Sequence, residues 1–86
     1  MTPKVRSDVT VQNVGEESLV LDMESGQIHQ LNTTAAWILE QCNGERTVDS
    51  IARDFADIFS LELDKATNDV IVVIEQLSQA GIIVSD

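Results

Sequence analysis

Two apolar periods divide this chain. From residue 9 to 31 apolar side chains recur close to every second position, the spacing of strands facing a core on one side. Val9 and Val11 with Val14 come first, then Leu19 and Leu21, then Ile28 and Leu31 within a short segment from Gln27. Gly15-Glu16-Glu17 and Glu24-Ser25-Gly26 read as the turns between them. Connections this short predict a three-stranded antiparallel meander. Three strands with so few large side chains do not stand alone in water, so helices must cover one face.

From residue 32 the period lengthens to that of helices. Asn32-Thr33-Thr34 offers N-cap residues before Ala35, Ile38, Leu39 and Cys42 at i, i+3, i+4, i+7, and Asn43-Gly44 is a stop. A second helix begins near Thr47, with Val48, Ile51, Ala52, Phe55, Ile58 and Phe59 on one stripe and Asp49, Arg53, Asp54 and Asp57 opposite. Asp64 is the expected cap of a third helix that runs to Ala80 and stops at Gly81. Ala66, Val70, Val73, Leu77 and Ala80 form its expected buried stripe. Residues 1–8 read as a loose tail and residues 9–84 as one domain. The predicted fold is α+β: an N-terminal three-stranded antiparallel sheet packed on a three-helix bundle, winged-helix-like in plan.

Three apolar residues depart from this pattern. At 100° per residue, Ile71 and Val72 lie off the centre of the third helix's stripe, and Trp37 lies nearly opposite the line through Ala35, Leu39 and Cys42. Either a second layer covers them and they are core, or they line an apolar groove left open for a partner.

Charge narrows the partners. Five Lys and Arg stand against fifteen Asp and Glu in 86 residues, a net charge of −10. A surface of that sign repels nucleic acid and anionic lipid, and is met by a basic partner or serves solubility alone. Between Asp64 and Ala80 the one cation is Lys65, against Asp64, Asp69 and Glu75. A winged-helix DNA reader would present Arg, Lys, Asn or Gln to base edges from that helix, so a transcription regulator is the disfavoured rival. No apolar run approaches the roughly 18 residues of a membrane span, and the N-terminus shows no secretory h-region. A single cysteine excludes an internal disulfide and suits a reducing cytoplasm.

Candidate chemistry is sparse. Cys42 sits in the apolar stripe of a helix as a small buried hydrophobe. His29 has no Cys or His at ligand spacing, so no metal site is expected. Asp54 and Asp57 lie on a solvated helix face, and the four glycines are scattered singly, without a phosphate loop. The residues predict no catalytic centre and no cofactor.

The order of motifs resembles one family. Gly26-Gln27-Ile28-His29-Gln30-Leu31-Asn32-Thr33-Thr34-Ala35, then Ile38, Asn43-Gly44-Glu45-Arg46-Thr47-Val48 and Ile51 are similar to the core pattern of PqqD-like proteins. Asp69-Val70, Leu77 and Ala80-Gly81-Ile82-Ile83 resemble the family's last helix and its ending, so the likeness spans about residues 5–84. It implies a non-catalytic recognition element that binds the leader of a ribosomally made precursor peptide. The leader is then presented to a modifying enzyme, such as a radical SAM enzyme. Leu21-Asp22-Met23-Glu24-Ser25-Gly26 and Gly81-Ile82-Ile83 depart from the Tyr-Pro-Glu-Gly and Gly-Trp of the pyrroloquinoline quinone members, so no particular pathway is implied.

A mechanism follows from the residues. An open strand edge offers unpaired N–H and C=O groups to which an extended peptide can add. The expected site is the edge Gln27, Ile28, His29, Gln30 and Leu31, flanked on the third helix by Ile71 and Ile74, with Val70 deeper and Ser78 further along. Expected partners are a leader peptide and a modifying enzyme, with no nucleic acid and no membrane, and the chain itself a monomer or weak dimer. A structural subunit of a larger enzyme is the remaining alternative.

Overall fold

The computed structural model describes residues 2–84. In chain order its elements are β1 (Lys4–Val5), β2 (Val9–Val14), β3 (Glu17–Asp22), β4 (Ile28–Leu31), α1 (Thr33–Glu40), α2 (Val48–Ile58), α3 (Leu63–Gln79) and β5 (Ile83–Val84). The predicted meander is present as an antiparallel sheet in the order β2-β3-β4.

The register sorts its side chains into two faces. Val9, Val11 and Asn13 stand beside Asp22, Val20 and Ser18, and His29 and Leu31 beside Val20 and Ser18. This face meets the helices: Ser18, Val20 and Asp22 are buried, and Val9 and Leu31 pack on the core. Val11 shares the face yet is 40% exposed, because the helices do not reach across the middle of β2. Thr10, Gln12, Val14, Glu17, Leu19, Leu21, Ile28 and Gln30 fall on the opposite face, where Gln30 donates to Glu17 across the sheet.

Local chemistry sets the helix starts. The Asn32 side chain accepts from the Ala35 N–H at 2.8 Å, and Thr47 accepts from the Ser50 N–H at 3.1 Å. Asp64 is not the cap of α3. The helix begins two residues earlier than that cap implies, at Leu63 after Glu62, and Asp64 lies in the first turn, where a carboxylate favours the helix dipole. At the other end Gly81 takes φ 78°, its N–H donating to the Ser78 carbonyl while Ile82 N–H donates to Leu77.

The core is Val20 with Ile38, Leu39 and Cys42 of α1 and its exit, Ile51, Ala52 and Phe55 of α2, Ala66, Val70, Ile74 and Leu77 of α3, and Ile82 and Ile83. Ile74 therefore takes the central place expected of Val73, which is half-buried, and Ala80 is exposed. Ile58, expected on the α2 stripe, is also exposed. Trp37 is packed rather than free, its ring 5.7 Å from Phe55 and 6.0 Å from Phe59.

The loose tail expected over residues 1–8 is not what residues 3–6 form. Lys4 pairs with Val84 and Val5 with Ile83, joining the two ends of the domain in a second, two-stranded sheet. Val5 N–H donates to the Cys42 carbonyl, Arg6 N–H to Ile82, and Gly44 N–H to Pro3, which is fully buried. Gly44 stands at φ 84°, and a Cβ there would come within 3.1 Å of the Lys4 side chain. Arg6 completes the strap. Its Nη2 lies 2.6 Å from Asp22 Oδ1, a contact of opposite charges beneath the β3–β4 turn. The strands are two residues long, too short to show a period, and so escaped the reading by pattern.

Candidate functional site

β4 is an edge strand, paired with β3 on one side and, among the described residues, with no strand on the other. Its Ile28 and Gln30 are exposed on the outer face, and His29 and Leu31 are half-buried on the helix side. The His29 Nε2 atom is shielded from solvent and has no hydrogen-bond partner. Gln27, at the entry to the strand, is exposed and its carbonyl accepts from Asp22 N–H.

Just past the end of β4, a groove of about 440 Å³ opens among the three helices. Thr34 in the first turn of α1 stands on one bank, with Ile38 beneath it. Phe55, Phe59 and Leu61 supply the α2 end, and Asp69, Val72 and Val73 the α3 bank. The lining is mostly apolar with one charge, Asp69, whose carboxylate meets Lys65 Nζ at 3.2 Å. Such a groove suits an apolar side chain carried by a backbone that is anchored elsewhere.

The expected residues of α3 do not converge on this groove. Val70 and Ile74 are in the core, 0% and 3% exposed. Ile71 lines a separate depression with Thr47, Val48 and Asp49 at the start of α2. Ser78 is exposed near the helix end. The groove residues of α3 are Asp69, Val72 and Val73, and the signal for Val72 was in the sequence as an apolar residue off the buried stripe. The aromatic bank formed by Phe59, and the part played by Thr34, had no local signal.

The remaining reactive groups lie elsewhere. Cys42 is buried, its Sγ 3.3 Å from the Ile38 carbonyl, and burial pushes its thiol up to about 11. Among the described residues no cluster of His, Cys, Asp or Glu could hold a metal ion. No helix among them is long and apolar enough to cross a membrane.

The family model of coenzyme PQQ synthesis protein D (PqqD) matches residues 17–83, from the start of β3 into β5. This chain belongs to the PqqD family. Three solved structures share its fold. A lasso peptide synthetase B1 complexed with the leader peptide superposes with a TM-score of 0.86 at 23% identity, covering 98% of this chain and 99% of that one. TbiB1 in complex with the TbiA(beta) leader peptide gives 0.84 at 14% identity, over 96% and 99%. The PqqD truncation of Methylobacterium extorquens PqqCD, a stand-alone recognition element for ribosomally synthesized and post-translationally modified peptides, gives 0.80 at 18% identity, over 95% and 87%. The likeness covers both sheets and all three helices, which places this chain among PqqD folds. No curated protein sequence matches this chain.

Proposed function

We propose that this PqqD-family chain binds the leader segment of a ribosomally made precursor peptide and delivers it to a modifying enzyme, without performing chemistry itself. The observation that carries this reading is a β4 edge left unpaired among the described residues, followed directly by α1, whose Thr34 and Ile38 line an apolar groove. A leader adds antiparallel to residues 27–31, its backbone gaining hydrogen bonds of about 0.5–1.5 kcal/mol each. Alternate side chains then lie against His29 and Leu31, and one enters the groove between Thr34, Val72 and Val73. Ordering a disordered peptide offsets part of that gain, so the expected affinity is micromolar to high-nanomolar.

Support comes from two directions. Two of the structural neighbours are complexes with leader peptides, and the third is a recognition element for such peptides. In the chain itself, an apolar groove lies among the three helices and, among the described residues, no strand pairs with the outer edge of β4. The enzyme served is of the kind that modifies peptides, a radical SAM enzyme being one class, and the setting is cytoplasmic.

A leader titration followed by amide shifts tests this. The probe is a synthetic leader segment of a candidate precursor peptide. Shifts are expected at residues 27–31, at Thr34 and along residues 69–73. Saturable binding with the β4 amides silent would sink the strand-addition reading.

A further inference from the structure

The outer face of the three-stranded sheet carries four apolar residues, Leu19 and Leu21 half-buried and Val14 and Ile28 exposed. Its central strand points Leu19 and Leu21 away from the helices, and neither packs on the core. Ile28 stands beside Leu21 and is 61% exposed, and Val14, diagonal to Leu19, is 58% exposed. A sheet face that met only water would carry polar residues at the centre of the middle strand at no cost. Here both central positions are leucine.

Charge selects what covers it. The outward positions include no Lys or Arg, and Glu16 and Glu17 close one end of the sheet while Glu24 lies at the other. Arg6 reaches Glu24 at 3.5 Å but is anchored on Asp22, on the helix-facing side. We propose that this face docks a protein partner bearing an apolar patch ringed by Lys and Arg, and that the partner is the modifying enzyme. The choice of partner rests on the leader-binding reading; the face does not. A second copy is the poorer fit, because a two-fold interface sets the same acidic rim against itself. A peptide added at the β4 edge lies in the plane of the sheet and leaves this face open. Three short strands also make an interface at the small end of the range, suited to an enzyme that is engaged and released.

The test uses a purified peptide-modifying enzyme from the pathway this chain is found to serve, with Val14→Lys and Leu21→Lys. Val14→Lys changes an exposed side chain on β2, separated from β4 by β3, so it reports even if Leu21→Lys folds poorly. Both are expected to weaken enzyme binding at least tenfold, with wild-type binding falling as salt rises, while leader affinity stays within twofold. Enzyme binding unchanged in Val14→Lys and in folded Leu21→Lys, or absent in the wild type, would overturn the docking face. So would micromolar self-association in sedimentation that Val14→Lys abolishes. If the leader fails to bind at all but the outer-face variants still lose the enzyme, the leader reading falls and the docking face stands.

Discussion

Ile71 and Val72 are neighbours on α3 that serve different surfaces. Val72, 42% exposed, shares the groove with Thr34 and Phe59, whereas Ile71, 39% exposed, sits over the start of α2 beside Thr47 and Asp49. Their exposures are nearly equal, so composition and burial do not separate them. Their 100° offset around the helix does, because one side of α3 faces α1 and the other faces the α2 N-terminus.

That offset gives a paired test. Val72→Asp should weaken leader binding by about 1–3 kcal/mol, the cost of desolvating a polar group at an apolar contact. Ile71→Asp should leave binding within about 0.5 kcal/mol, the usual range for a surface change. Calorimetric titrations of both variants check this, with circular dichroism to establish folding. Equal losses would mean that the peptide covers both sides of α3.

The N-terminal strap is a stability element. Removing residues 1–6 strips the buried Pro3 and the hydrogen bonds of Val5 and Arg6, and uncovers Ile82 and Ile83. Four backbone hydrogen bonds, the pairing of β1 with β5 and one buried ring predict a loss of at least about 2–4 kcal/mol in urea unfolding. An unchanged midpoint would show that β1 adds nothing to the domain.

Asp22 makes this stability depend on pH. Burial raises its pKa, but the N–H groups of Ser25 and Glu24, the Ser25 hydroxyl and the Arg6 guanidinium outweigh that and hold it below its ordinary 3.8. Its native carboxylate therefore contributes stability that is complete above that value. The contribution is lost as the pH falls through the lower, folded pKa. Asp22→Asn should be less stable than wild type at neutral pH, and the gap should close on acidification below about pH 4. A gap that stays constant down to pH 2 would remove the ion pair from the account.

Cys42 should be silent. A thiol that is buried and raised to about 11 is almost wholly protonated near neutrality. Ellman's reagent should react at the unfolding rate, and Cys42→Ser should support peptide modification by the partner enzyme once folding is verified. Fast labelling of the native protein would contradict the burial.

Duplex DNA should not bind. With one cation on α3 against Asp64, Asp69 and Glu75, and −10 overall, phosphate contacts are unfavourable. A mobility-shift titration near physiological salt should show no submicromolar complex.

The sequence by itself determined whatever is settled within a few residues. Alternation specified three strands, Asn32 and Thr47 marked two helix starts, and Gly81 marked the end of the third. The order of these signals carried the family resemblance, and the lack of clustered reactive groups argued against catalysis. Tertiary structure decided what depends on distant partners. Lys4–Val5 and Ile83–Val84 are strands only because each completes the other across the whole chain. The helical period sets Ile71 and Val72 off the buried stripe, but it does not say which surface each serves or that Ile74 is core. Their division into depression, groove and core follows from where α1 and α2 lie around α3, and the helix's own sequence does not encode that. Leu19 and Leu21 alternate as core residues should, yet the register turns them outward and gives the core to Val20. Alternation alone favours the leucines over Ser18, Val20 and Asp22 as the core set, and packing against the helices overrides it.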